Sequence, residues 1–395
     1  MNTQADKYRD LAPDERILMG PGPSNVPPRV LRALSAPCIG HLDPYFLSLM
    51  DEIQDLLRFV FQTTNPLTIA ISGTGSAGME TCFVNLVEPG DEVVVCVNGE
   101  FGNRMSDIVN RIGGHLTRVD AEWGRAIDPE AVERAIRGKN PRIVAVVHAE
   151  TSTGACTPLA DLSRIAHAAG ALFLVDTVTS LGGMEVAVDS WGIDAVYSGT
   201  QKCLSCPPGL APVSFGPAAA KALAARKTPV VSWYLDLKML QSYWDSNRKY
   251  HHTAPVNMNY ALREALRIIA EEGLEARWTR HRQNHLALVA GIEAMGLSML
   301  APEAERLPML NAVRIPDGVD DKKVRSALLR DYGIEIGGGL GPLAGKIWRV
   351  GLMGHSSCPR NVLLFLSALE TILRGEGHKV RSGGPQAAMA VYERA

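Results

Sequence analysis

A series of short apolar runs separated by helical patterns constrains this chain more than any other feature. Between Leu67 and Phe215 the runs Leu67–Ile71, Val93–Val97, Leu116–Val119, Ile143–His148, Leu172–Val175, Ala195–Ser198 and Ala211–Phe215 each hold four to six residues. Continuous apolar runs of that length belong to strands buried on both faces of a sheet. Stretches with helical spacing stand between most of them, including Gly78–Leu86, Pro129–Ile136 and Leu159–Ala168. Pro129 behind Asp128 is a normal first turn of a helix. Strand and helix in alternation predict a doubly wound α/β architecture around a mainly parallel sheet. Ligands of such sheets sit at the carboxyl ends of the strands.

The pattern changes after Phe215. Long helical stretches cover Asn257–Glu272 and Leu274–Met295, and a fresh sequence of elements begins near Leu297. It reads as a strand at Asn311–Ile315, a helix at Asp321–Tyr332, strands at Glu335–Ile336 and Ile347–Val350, and a helix at Pro359–Leu373. A second, smaller α+β unit is expected, since 395 residues exceed one ordinary core. The division predicted is an N-terminal arm over 1–22, a large domain over 23–290 and a small C-terminal domain over 291–395. Gly375–Gly384 reads as a loop before a short last helix.

Composition narrows the function classes. A net charge of −2 gives no footprint for nucleic acid or an anionic membrane. No apolar run approaches the ~20 residues that span a bilayer. Met1–Lys7 is polar and lacks the apolar core of a secretory leader. The seven cysteines, odd in number and scattered through apolar segments, read as reduced thiols of a cytoplasmic protein.

The carboxyl ends of the predicted strands carry the chemistry. Asp194-Ala195-Val196-Tyr197-Ser198-Gly199-Thr200-Gln201-Lys202 is a strand opening into a small-residue turn that closes on a lysine, and Leu172–Val175 ends in Asp176. Ser72-Gly73-Thr74-Gly75-Ser76-Ala77-Gly78-Met79-Glu80 follows a strand and opens a helix. Its glycines and free N–H groups suit a phosphate dianion. Gly73, Gly75 and Gly78 also satisfy G-x-G-x-x-G, with Glu100 available as the ribose acid of a dinucleotide site. A dinucleotide leaves Asp176 and Lys202 without a task. Pyridoxal phosphate uses all three features: a lysine for its Schiff base, an acid for its pyridine nitrogen and a phosphate cradle. Phe101, just past Val93–Val97, lies at the same sheet edge and can stack on a pyridine ring. Taken alone it reads as an ordinary core phenylalanine.

With these residues in place the chain resembles a known family, the class V, fold type I pyridoxal-phosphate aminotransferases of the alanine–glyoxylate and serine–glyoxylate (serine–pyruvate) group. The likeness runs from Gly20-Pro21-Gly22-Pro23-Ser24-Asn25 to about Leu373. It is carried by Ser72–Gly75, Glu150-Thr151-Ser152-Thr153-Gly154, Val175-Asp176, Ser198–Lys202, Tyr250-His251-His252-Thr253 and Lys346–Gly351. The resemblance implies a large cofactor domain with a small C-terminal domain. It also implies a ping-pong exchange of an amino group between a small amino acid and a 2-oxo acid such as glyoxylate or pyruvate. Lys202 then resembles the Schiff-base lysine and Asp176 the pyridinium partner. Thr74, Gly75, Ser76 and Gln201 resemble phosphate ligands, Phe101 the stacking aromatic, and Thr151 the hydroxyl near the phenolic oxygen. Tyr250 and Thr253 resemble residues that reach the phosphate from the other subunit of a homodimer. Arg349 resembles the clamp on the substrate carboxylate, with Gly22 and His41 at the substrate.

The segment Glu122-Trp123-Gly124 and the stretch Ala155–Arg381 also resemble the bacterial ureidoglycine–glyoxylate branch. That branch is similar but carries a Gln and an Asn where this chain has His41 and Tyr250, a difference that favours a simpler donor. A lyase or desulfurase needs an added acid or a mobile cysteine. A non-catalytic scaffold does not need Lys202, Asp176 and Arg349 together. Cys203 and Cys206 read as a structural loop, because no second ligand pair stands at zinc spacing. His281 and His285 read as an exposed helical face, and the adjacent His251 and His252 as facing apart. The glycines at 337, 338, 339 and 341 read as a turn before Arg349.

Overall fold

A computed structural model describes residues 4–394. The apolar runs form one seven-stranded sheet. Its strands are β1 (Leu67–Ser72), β2 (Glu92–Val97), β3 (His115–Asp120), β4 (Ile143–Val147), β5 (Leu172–Asp176), β6 (Ala195–Tyr197) and β7 (Leu210–Phe215). They lie in the order β1-β7-β6-β5-β4-β2-β3. Strands β2 to β6 run parallel, and β7 is antiparallel to both of its neighbours, β6 and β1. A parallel neighbour needs a crossover, usually through a helix. The segment between β6 and β7 contains no helix, so the chain doubles back beside the strand it has just left. Two reversals leave β1 pointing the same way as β2 to β6. The carboxyl ends of β1, β2, β4, β5 and β6 therefore share one edge.

Helices α1 (Pro28–Leu34) and α2 (Pro44–Phe61) precede the sheet, where the sequence pattern predicts none. Asp43 caps α2 by accepting from the Tyr45 N–H, Pro44 takes the first turn, and Gln62 ends the helix in the left-handed region. Helices α3 (Gly75–Leu86), α4 (Glu100–Ile112), α5 (Pro129–Ile136) and α6 (Ala160–Ala168) cover the sheet, followed by α7 (Pro217–Ala224), α8 (Leu237–Trp244) and α9 (Val256–Glu272). α3 starts three residues earlier than its predicted Gly78, so the glycine run itself forms the first turn. β4 stops at Val147, one residue short of the predicted end, and Ala149–Glu150 then pairs with Ala155–Cys156.

The remaining helices are α10 (Leu274–Ala294), α11 (Asp321–Tyr332), α12 (Pro359–Gly375) and α13 (Gly384–Tyr392). They surround an antiparallel sheet of β8 (Leu310–Arg314), β10 (Ile347–Gly351) and β9 (Gly337–Gly338), in that order. Gly337 and Gly338 thus form a strand on Arg349, not the plain turn predicted. Two large apolar clusters result, with a small third one around Cys203, Leu307 and Met309 among the described residues. One joins the large sheet to α2, α3 and α9, and the other joins Leu288 and Ile292 of α10 to Trp348, Phe365 and Leu369. No helix among the described residues is long and apolar enough to cross a membrane.

The face of α10 carrying His281 and His285 is buried, contrary to the exposed face predicted. The Gly354 N–H donates to His281 Nε2 at 2.9 Å, so His281 Nδ1 carries its proton toward the Arg277 carbonyl at 2.7 Å. Burial first, and then Arg277 and Arg280, push the His281 imidazolium down to about 3. His285 Nδ1 meets Asn311 Oδ1 at 2.6 Å. Of the arginines that make this helix look polar, Arg282 is exposed but Arg277 is buried and Arg280 partly so. Arg277 donates to the Gly182 carbonyl at 2.8 Å, to the Cys203 carbonyl at 2.6 Å and to Glu272 at 2.6 Å. It pins the turn immediately after Lys202.

Removing a buried charge that satisfies two carbonyls and a carboxylate costs about 3–5 kcal/mol. We expect Arg277→Leu to lower the midpoint of urea unfolding by that much stability. An unchanged midpoint would show that this turn does not depend on the arginine.

Candidate active site

Lys202 lies in the connection between β6 and β7, at the carboxyl edge, and is 8% exposed. Its Nζ donates to the Pro21 carbonyl. The Ser24 hydroxyl donates to the Lys202 carbonyl at 2.7 Å, and the Ser24 N–H donates to the Gln201 carbonyl at 2.9 Å. The N-terminal segment is thereby laced over the lysine turn. A Cβ on Gly22 would lie 2.6 Å from Lys202 Cδ and 2.8 Å from Nζ, so a side chain there would take the lysine's place. Burial pushes the Lys202 ammonium down to about 8. Arg349 adds to that, while Asp176, Cys203 and Glu150 oppose it.

Asp176 ends β5, and the parallel register sets Tyr197 of β6 beside it. The Tyr197 hydroxyl donates to Asp176 Oδ2 at 2.7 Å, and the Val178 N–H donates to Oδ1 at 2.7 Å. Burial pushes this carboxyl up to about 7, against the pull of those two hydrogen bonds. A carboxylate so far from water calls for a cation beside it.

The phosphate cradle is built from two loops. Thr74 precedes α3 without capping it by its side chain, so the first N–H groups of α3 have no side-chain acceptor at Thr74. Gly75 and Gly199 let the loops close: a Cβ on Gly199 would lie 3.3 Å from Gly75 Cα and 2.8 Å from Gln201 Oε1. Gln201 Oε1 is buried with no hydrogen-bond partner. Thr74 and Ser76 are exposed at the rim. Free N–H groups and glycine clearance suit a phosphate end, the Gln201 amide can turn its Nε2 donor toward it, and the buried lysine and carboxylate lie beyond. These residues fit pyridoxal phosphate.

Arg349 stands on β10 and is 8% exposed. It donates to the Gly338 carbonyl at 2.7 Å and to the Thr151 carbonyl at 3.3 Å, and no carboxylate among the described residues forms a salt bridge with it. Burial pushes the guanidinium down to about 10, while Glu150 opposes the shift. Phe101 is in the first turn of α4, partly buried, with the Arg104 guanidinium 4.9 Å from its ring centre. Thr151 is buried, and its carbonyl accepts from Arg349.

Tyr250 and Thr253 are not brought to this centre. Both are exposed, and among the described residues none of their ring contacts or hydrogen bonds reaches Lys202, Asp176 or Arg349. Tyr250 instead meets His41, with ring centres 5.2 Å apart. His251 and His252 do not face apart as predicted. Their Nδ1 atoms lie 2.9 Å from each other, and His252 Nε2 is 2.7 Å from Ser72 Oγ. The segment is not a regular strand, so neighbouring side chains need not alternate. Tyr197 and Glu150 join the site without being singled out by the sequence pattern. The available signal is a polar group at the end of an apolar run, the same signal that marks Asp176.

Similarity to known proteins runs along nearly the whole chain. The model of the aminotransferase class-V family matches residues 17–349. The (S)-ureidoglycine–glyoxylate transaminase of Bacillus subtilis is 43% identical, over 98% of each chain. The alanine–glyoxylate aminotransferase of Callithrix jacchus is 40% identical, over 93% of this chain and 89% of its own. The crystal structure of an alanine–glyoxylate aminotransferase from Nostoc superposes with a TM-score of 0.92 at 50% identity, covering 95% of this chain and 100% of its own.

A buried lysine whose charge is already disfavoured gives a specific pH dependence. Attack on a carbonyl needs Nζ without its proton. With the ammonium near 8, roughly a tenth of Lys202 is neutral at pH 7, against well under a thousandth for an ordinary lysine near 10.4. We expect the rate at which cofactor-free protein captures pyridoxal phosphate to climb below pH 8 and to level off above it, followed by stopped-flow absorbance. A rate still climbing steeply at pH 10 would contradict the buried amine.

Proposed function

Because the chain belongs to the class-V aminotransferases, we propose that it moves the amino group of a small amino acid, alanine or serine, to glyoxylate. It is a pyridoxal-phosphate-dependent transaminase. The observation that carries the substrate reading is Arg349, a buried cation with only carbonyl partners beside Lys202. Such a group is suited to a bidentate hold on an α-carboxylate, which a lysine does not reproduce.

When bound, pyridoxal phosphate supplies a ring that draws off charge as the Cα–H bond of the amino acid is broken. The protein's own groups do the rest. Lys202 Nζ, free of its proton, takes up the proton from Cα. Asp176, ionised beside a protonated ring nitrogen, holds that proton in place. Arg349 fixes the carboxylate and so presents Cα toward Nζ, while Gly22 leaves the space around Nζ open. Gly75, Thr74, Ser76 and Gln201 take the phosphate, and Phe101 and Thr151 wall the ring.

In this reading a second copy of the chain completes the phosphate site with Tyr250 and Thr253. Their exposure supports it, as do the exposed Val231, Trp233 and Tyr234. His41 and Tyr250 stand where the ureidoglycine branch carries a Gln and an Asn, and their lack of that amide pair favours a small donor over a ureido compound. The ureidoglycine reading keeps one observation in its favour, the 43% identity over nearly the whole chain. Seven unpaired cysteines support work in a reducing cytoplasm.

We expect Lys202→Ala to lose the visible absorbance of the bound cofactor and nearly all turnover; normal transamination by that variant would sink the assignment. Arg349→Gln should lower kcat/KM for the amino donor by about 10²–10³, the loss of one partner of a buried charged pair. A donor panel against glyoxylate, read as kcat/KM ratios, should rank alanine or serine first. A strong preference for ureidoglycine would overturn the donor reading.

A further inference from the structure

Glu150 is a fully buried carboxyl for which the proposed chemistry has no task; burial raises its pKa, and the hydrogen bonds from Ser152 and Phe101 work to keep it ionised. Its Oε1 accepts from the Ser152 N–H at 2.9 Å and from the Ser152 hydroxyl at 2.6 Å, and its Oε2 accepts from the Phe101 N–H at 3.2 Å. Ser152 Oγ in turn accepts from the Glu100 N–H at 2.9 Å. Glu100 and Phe101 are the first two residues of α4, and the residue before them, Gly99, has no side chain with which to cap. The first N–H groups of a helix need acceptors, and a neighbouring residue usually supplies one. Here a Cβ on Gly99 would collide with Glu150 and with Ser152 Oγ. The place of an ordinary capping side chain is filled from another element. A carboxylate there also meets the positive end of the helix dipole.

The same tripeptide reaches the opposite wall of the site. The Thr151 carbonyl accepts from Arg349, and the Glu150 charge favours both the Arg349 and the Lys202 cations. We infer that Glu150 is a positioning residue, which caps α4 to fix Phe101 against the cofactor ring and balances the buried cations of the substrate side. The inference rests on the reading in which Phe101 walls a cofactor held by Lys202.

Two variants separate its two tasks. In Glu150→Gln one end of the side chain becomes an N–H donor, so Phe101 or Ser152 faces a donor where an acceptor stood. An unsatisfied buried donor corresponds to on the order of ten-fold weaker cofactor binding. The groups acting on Lys202 are the charged Arg349, Asp176 and Glu150 and the Cys203 thiol, which burial holds up at about 12. Losing only the Glu150 charge should move the midpoint of the pH dependence of cofactor capture to lower pH. Ser152→Ala removes the acceptor for the Glu100 N–H but keeps the charge. It should weaken cofactor binding and leave that midpoint in place.

Titration of both variants with pyridoxal phosphate, together with capture rates from pH 6 to pH 10, reads these effects. Wild-type affinity in both variants, or an unmoved midpoint in a folded Glu150→Gln protein, would overturn the inference. If Glu150→Gln does not fold, wild-type affinity in Ser152→Ala alone is enough to overturn the capping role. Turnover by Lys202→Ala would instead remove the site reading beneath it, so the two failures are told apart.

Discussion

Asp176 and Tyr197 end adjacent parallel strands in register, and that pairing sets the electrostatics of the whole pocket. It holds a carboxylate at full burial, where water cannot stabilise its charge, and offers only a hydroxyl and one N–H in compensation. Of the neighbouring groups Lys202 relieves it only in part, and Glu150 adds to it. Lys202, Arg349 and Glu150 are also buried, and no salt bridge joins any of the four among the described residues. Taking charges out of water without pairing them is costly. The arrangement is relieved by a particular set of guests: a cation beside Asp176, an anion on Arg349 and a carbonyl that takes the neutral form of Lys202. A protonated pyridine ring with an aldehyde, followed by an amino-acid carboxylate, meets those demands.

The carboxyl edge was legible from the order of residue types. Apolar runs mark strands because both faces are buried, and the first polar residue after each run must lie at a strand end. Lys202 and Asp176 stand out on that ground. The direction of β7 was not legible, since an apolar run reads the same in either direction. It depends on whether a helix fits into the connection after β6. Helix α2 went unread because an amphipathic stretch without a neighbouring strand pattern gives no architectural cue, although the Asp43-Pro44 start is a local one.

Burial on α10 shows a different limit. Periodicity places Arg277, Arg280 and His281 on a polar stripe, and polar stripes usually face water. Here the stripe meets carbonyl groups from the Cys203 and Gly354 turns, which need donors as much as the arginines need acceptors. Only the tertiary structure supplies that match. Tyr250 and Thr253 illustrate the converse. The resemblance assigns them to the cofactor, yet within one chain they stand at the surface beside His41. Their proposed role requires a surface that a single sequence does not display.

The N-terminal segment joins the two halves of the site. Ile17–Leu18 pairs with Ile334–Glu335, and the Gly351 N–H donates to the Met19 carbonyl at 2.6 Å, which ties this segment to the smaller sheet bearing Arg349. Two residues on, Pro21 sits so close to Gly337 that a Cβ there would lie 2.5 Å from its ring, and the Pro21 carbonyl receives the Lys202 Nζ. A charged donor makes a stronger hydrogen bond than a neutral one. That bond is strongest while Lys202 is an ammonium. In the proposed chemistry the proton on Nζ therefore bears both on the reactivity of Lys202 and on its bond to the segment that spaces it from Arg349.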